Sequence, residues 1–180
     1  MAQPGVDIQL NFAKELQQAS AAIQATPKQL ALAGQRAIKK TMRWLKVRIA
    51  RELSQSLAIS QKVLTPRFSL STVGTGLDAT TILWLGVNSM PAEMLGNARQ
   101  TRRGVTVGKR KYEGAFYRRV YGDRSRVWRR KGTSRLPVQA EVVEISDQAS
   151  EVFKRFQTRI PAEFQRILQQ ELNYVVNHAK

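Results

Sequence analysis

A marked helix start followed by a long one-sided apolar stripe restricts the fold more than any other feature of this chain. Thr26-Pro27-Lys28-Gln29 has the form of a capping box with proline at the first helical position. Behind it Ile38, Met42, Leu45, Ile49 and Leu53 recur at steps of three and four, with Arg36, Lys39, Lys40, Arg43 and Lys46 beside or opposite them. This spacing predicts one amphipathic helix over residues 27–57. Phe12, Leu16, Ala19 and Ile23 share a register in the Ala- and Gln-rich stretch before the Thr26 break, which predicts a shorter helix and a bent or antiparallel helical pair. Ser60-Gln61-Lys62-Val63-Leu64 reads as one further helical turn, ended by Pro66.

Beyond Pro66 the period changes. Phe68, Leu70 and Thr72 alternate with Ser69, Ser71 and Val73, and after Gly74-Thr75-Gly76 the run Thr80–Val87 is rich in β-branched and aromatic residues, which predicts a hairpin. Residues 88–104 read as a loop. Val105–Val107, Ala115–Tyr117, Arg126–Trp128 and Val138–Ile145 read as short strands separated by glycines. Helical spacing returns at the end: Ser146-Asp147 reads as a cap for Val152, Phe153, Phe156 and Ile160, and Pro161 starts or kinks a segment carrying Phe164, Ile167, Leu168, Leu172, Val175 and Val176. The expected class is α+β in a single domain, 1–180: N-terminal helices (1–66), a small antiparallel sheet (67–145) with a basic loop (88–135), and C-terminal helices (146–180) packed on the sheet.

Charge is zoned along these segments. The 180 residues carry a formal net charge of +17. Residues 28–67 hold ten basic side chains against Glu52 alone, residues 99–135 hold fourteen against Glu113 and Asp123, and residues 136–180 hold five basic and six acidic. Blocks of this kind point to one surface that meets a polyanion and another that meets protein. A chain of this length can bury roughly 70% of its unfolded surface, so a core without staples is expected. The absence of cysteine excludes disulfides, thiol nucleophiles and Cys-ligated zinc or iron–sulfur clusters. Met1–Asp7 has no basic-then-apolar leader pattern, so no secretory signal is expected and the mature chain is expected to begin here. The longest apolar run, Ile82–Val87, is far too short to span a bilayer, and a soluble protein without a membrane partner is expected.

Enzyme chemistry has little to stand on. His178, the single histidine, lies near the end of the chain and reads as a surface residue, so no histidine triad or multi-histidine metal site can form. Glu141/Glu144 and Asp147/Glu151 are better explained by strand and helix-start positions. Gly104–Lys109 lacks the spacing of a phosphate loop. No catalytic residue, metal or cofactor is expected. The chemical signal is the basic block 99–135, which interleaves Tyr112, Phe116, Tyr117, Tyr121 and Trp128 with arginines that suit bidentate phosphate or carboxylate contacts. Its candidate contact residues are Arg102, Arg103, Lys109, Arg110, Lys111, Arg126, Arg129, Arg130 and Lys131. Nucleic-acid contact, an interface with acidic protein and a solvated loop all remain open for it.

Gly114-Ala115-Phe116, the basic strand Arg126-Val127-Trp128-Arg129-Arg130, Arg135-Leu136-Pro137-Val138 leading to Val142-Val143-Glu144-Ile145, and Ile160-Pro161-Ala162-Glu163-Phe164 with Leu172 follow one another in an order that resembles the phage minor tail protein Z family. The resemblance is specific over residues 112–176. It implies a structural tail completion protein of a long-tailed phage, at the head-proximal end of the tail or neck, located in the virion and in the host cytoplasm during assembly. The implied partners are other copies of the chain in a closed ring, expected as a hexamer by analogy with the six-fold tail, the tail tube or tail terminator, the head–tail connector and phage DNA. Ile38, Met42, Leu45, Ile49, Phe164, Leu168 and Leu172 are the expected oligomer-interface residues, with the sheet edge beside them. The alternative is a free, chaperone-like nucleic-acid-binding protein; a toxin-like nuclease is excluded by the missing histidine and acidic cluster.

Overall fold

The computed structural model describes residues 4–22, 26–74 and 80–178. The expected turn at Thr75-Gly76 and the expected helix end at Ile23 lie outside them. The chain runs β1 (Gly5–Leu10), α1 (Ala13–Ala22), α2 (Pro27–Ser56), α3 (Gln61–Leu64), β2 (Phe68–Val73) and β3 (Thr80–Gly86). It continues through β4 (Met90–Pro91), β5 (Ala98–Thr101), β6 (Gly104–Val107), β7 (Arg110–Glu113), β8 (Ala115–Arg118), β9 (Arg126–Arg130), β10 (Val138–Ala140) and β11 (Val142–Val143). It ends in α4 (Ser146–Gln157) and α5 (Ile160–His178). The fold is mixed α+β, with a long N-terminal helix, small antiparallel sheets and C-terminal helices packed against them.

Helix α2 begins where its sequence dictates. The Gln29 N–H donates to Thr26 Oγ1 at 3.3 Å, the Gln29 side chain receives the Thr26 N–H at 2.9 Å, and Pro27 occupies the first turn, where no donor is lost. Ser60 caps α3 through the Lys62 N–H, and Pro66 falls in a 3-10 turn that leads into β2. At the C-terminal pair the expected cap is corrected. Ile145 takes the cap position without a side-chain bond, and Ser146 and Asp147 lie inside the first turn of α4, where the Asp147 charge favours the helix dipole. Pro161 sits at the second residue of α5 and starts that helix.

The apolar stripes meet within one chain. Helix α5 lies along α2, α1 also packs on α2, and α4 packs on both α2 and β1. Phe12 stacks on Phe164 with ring centroids 3.6 Å apart, and Trp44 meets Phe156 edge-on at 5.9 Å. This overturns the interface expectation for Ile38, Met42, Leu45, Ile49, Phe164, Leu168 and Leu172. All seven are buried in the isolated chain, at most 9% exposed, because α2 and α5 turn their stripes toward each other. The same hydrophobic cluster continues through Ile8, Leu83 and Leu85 to Val105, Val107, Tyr112 and Val127.

The strands form several small sheets rather than the single sheet expected from the sequence. The expected hairpin pairs β2 with β3, Phe68 opposite Leu85 and Val73 opposite Thr80. Strand β1, within the region read as helical, pairs with the other side of β3, Gly5 opposite Gly86 and Leu10 opposite Thr81. Gly5 is required there by close approach, since an added Cβ would overlap the Trp84 indole. The segment read as a loop over 88–104 instead carries β4 and β5, and β5–β6–β7 form an antiparallel sheet. The expected strand Val138–Ile145 is broken at Glu141. Its N–H donates to the Val127 carbonyl at 2.8 Å while its own carbonyl accepts from Ala92 at 2.9 Å, so the chain leaves β9 and joins β4 at this residue.

One buried charge couples the two long helices. Glu171 on α5 is 3% exposed and takes Lys40 at Oε1 and Arg36 at Oε2, the latter at 2.6 Å. Burial alone pushes the Glu171 carboxyl upward, but Lys40 and Arg36 outweigh it and hold it below the usual carboxylate value. Its stabilising effect is therefore complete above about pH 4.3, where an unfolded Glu titrates, and is lost as pH falls through the lower folded value. Glu171→Gln is expected to cost about 1–3 kcal/mol in urea unfolding at neutral pH. The gap to the parent protein should close in acid, where the parent carboxyl protonates as well.

Candidate polyanion interface

The nine basic residues singled out in the sequence do not form one cluster. Arg102 and Arg103 occupy the β5–β6 turn and, with Lys111, line a recess of about 300 Å³ that also contains Glu113. Lys109 lies in the β6–β7 turn. Arg129, Arg130 and Lys131 line a second recess of about 650 Å³ beside Glu141. Three of the nine are tied into the fold. The Arg110 guanidinium donates to the Leu57 carbonyl at the end of α2, Arg126 pairs with Glu93 at 3.6 Å, and Arg129 pairs with Glu141 at 2.5 Å. Burial pushes the Tyr112 phenol above its ordinary value, with Arg110 opposing. Arg102, Arg103, Lys109, Lys111, Arg130 and Lys131 make no ion pair among the described residues.

A groove of about 1020 Å³ lies against the β8–β9–β10 sheet. Antiparallel register places Phe116 opposite Trp128, Arg118 opposite Arg126 and Val138 opposite Arg130, so these six residues share one face. Arg118, Arg130, Phe116 and Val138 line the groove there, while Arg119, Val120, Tyr121, Arg135 and Leu136 reach it from the flanking loops. Among the described residues the groove lining contains no carboxylate and no lysine, although Arg119 pairs with the exposed Asp123 at 4.0 Å just outside it. Trp128 organises this surface from beneath: its Nε1–H donates to the Arg118 carbonyl at 2.9 Å, and its ring meets Tyr121 edge-on at 5.4 Å. The Tyr117 N–H donates to Gln100 Oε1 at 2.8 Å, which joins β8 to the neighbouring β5–β6–β7 sheet.

Of the predicted contact residues only Arg130 belongs to this groove. Arg118, Arg119 and Arg135 were missed as site residues, although they lie in the same basic block as the aromatic residues that accompany them. The available signal was the alternation around Trp128, which puts Arg126 and Arg130 on its face and Arg129 on the other.

A second basic surface runs along α2. Lys40, Arg43, Trp44, Val47, Arg48 and Arg51 line a shallow recess of about 350 Å³. Lys40 there is already engaged with Glu171. Elsewhere Arg67, despite its place in the first basic block, is a structural residue: its guanidinium donates to the carbonyls of Gly86 and Asn88 at 3.2 and 2.6 Å, and burial lowers its pKa.

No group of three or more His, Asp or Glu side chains suited to a metal lies together among the described residues, and no described helix is long and apolar enough to cross a membrane. No protein-family model, curated protein or solved structure matches this chain.

Proposed function

We propose that this chain is a structural virion protein of a tailed phage, a tail completion or neck subunit at the head-proximal end of the tail that helps join tail to head. It acts as a ring of like subunits between the tail tube or terminator and the head–tail connector, with its arginine-rich face toward channel DNA or an acidic neighbour. The observation that best supports this reading is the separation of charge. Glu52, Glu93, Glu141, Glu163 and Glu171 are occupied in ion pairs, while Arg118, Arg130 and Arg135 line an open groove without a carboxylate. The order of short motifs from Gly114 to Leu172 supplies the family context.

With the apolar stripes buried inside the chain, subunit contact falls to exposed surfaces. Strand β2 is an edge of its sheet, Ser69–Val73 are exposed and uncharged, and Leu70 and Val73 are the large apolar side chains on it. An edge of this kind, with neither charge nor proline to blunt it, is suited to pairing with another chain.

The test is complementation of a phage lacking this protein. Arg130→Glu combined with Lys131→Glu reverses two cations that make no ion pair among the described residues, so the fold should survive. Tails should attach to heads, DNA retention or ejection should fail, and infectious titre should fall sharply; normal infectivity would overturn the assignment. The second reading, a free nucleic-acid-binding protein, is favoured only by the open groove and predicts a monomer that binds bare nucleic acid tightly without entering tails.

A further inference from the structure

We propose that the groove on the β8–β9–β10 face binds single-stranded nucleic acid, in preference to duplex. The inference deepens the reading of the basic block as a polyanion surface and rests on it, but the residues that carry it are Arg118, Arg130, Arg135, Phe116 and Tyr121.

Three features select this ligand. The first is charge: the cations of the lining are all arginine. Of them only Arg119 has an acidic partner among the described residues, the exposed Asp123 at 4.0 Å, which leaves Arg118, Arg130 and Arg135 open to an incoming phosphate. The second is the presence of ring faces. Tyr121 is 56% exposed, yet the edge-on contact with Trp128 holds its ring in place, and Trp128 is itself fixed by its bond to the Arg118 carbonyl. A ring already held in position loses little freedom when a base stacks on it. Phe116, half-buried beside it on β8, offers a second apolar surface. Stacking on such rings is available to bases in a single strand, whereas a duplex keeps its base faces paired and stacked.

The third feature is dimension. Adjacent strands lie about 4.8 Å apart, so a three-stranded face measures about 10 Å between its outer strands. Tyr121 and Leu136 line this face from the flanking loops, so the floor between them is of the width that one extended strand needs. An acidic peptide would satisfy the arginines but would leave the Tyr121 ring without a matching flat partner.

Fluorescence anisotropy of labelled oligodeoxythymidylate, titrated with the intact protein across a salt series, tests the proposal against a hairpin duplex of equal charge. The single strand should bind more tightly than the duplex. Each of Arg118→Gln, Arg130→Gln and Arg135→Gln should flatten the log–log salt slope by about 0.7. Tyr121→Ala should weaken binding about 5- to 150-fold, and Tyr121→Phe should restore it. Tyr121 is exposed, so an unchanged thermal midpoint will show that the alanine variant is folded. Equal binding of duplex, or indifference to Tyr121→Ala, would overturn the proposal. So would displacement of the oligonucleotide by polyglutamate at matched charge, which would indicate an acidic protein partner. Loss of single-strand binding in a protein that still completes tails removes the groove assignment alone; a protein that binds single strands but never enters tails removes the tail assignment alone.

Discussion

Replacing Phe164 by alanine is expected to lower the unfolding free energy by about 3–5 kcal/mol, and Leu45→Ala by about 2–5 kcal/mol. Both side chains are completely buried, Phe164 stacks on Phe12, and Leu45 belongs to the α2 stripe that faces the rest of the core. Truncation leaves a cavity that the surrounding helices can fill only in part. Urea unfolding at two protein concentrations separates this from the interface role expected from sequence. A core residue gives a loss independent of concentration. An interface residue would leave monomer stability near that of the parent and shift only the oligomer equilibrium.

Gly104→Ala is expected to cost about 3 kcal/mol or more. Gly104 has φ +153°, and an added Cβ would lie 2.1 Å from the Tyr112 carbonyl oxygen. The obstacle is backbone, so a rotamer change cannot relieve it, and β6 would have to separate from β7 at the pair Gly104–Glu113. For a chain of this size the thermal midpoint should fall by roughly 6–12 °C. Amide exchange should rise first across β5, β6 and β7. Unchanged protection there would show that the hairpin tolerates a side chain at this position.

Much of the helical part was legible because its signals are local. The Thr26–Gln29 box, Pro27 and the stripe from Ile38 to Leu53 all act within a turn or two, and α2 follows them. What the stripe could not reveal was its partner. A second apolar helix in the same chain and a neighbouring subunit leave the same pattern, and the chain supplies its own cover in α5. Strand β1 had a usable signal, since Val6, Ile8 and Leu10 alternate with Gly5, Asp7 and Gln9, but its pairing with β3 joins positions 71 to 81 residues apart and lies beyond any local rule.

The polar strands were hidden for another reason. Arg110-Lys111-Tyr112-Glu113 buries only Tyr112 and reads as loop by composition. The candidate site was legible as a segment but not as a constellation. Arg110, Arg126 and Arg129 look equivalent to Arg130 in sequence, and only tertiary pairing with Leu57, Glu93 and Glu141 removes them from the free surface.

The central claim, that this chain is an assembly component acting through an arginine-rich face, is tested most directly by sedimentation of the intact protein, alone and with purified tails, across a salt series. The account predicts an oligomer that co-sediments with tails and retains its fold in the Arg130→Glu, Lys131→Glu variant. A protein that stays monomeric, ignores tails and binds short nucleic acid with steep salt dependence would contradict it.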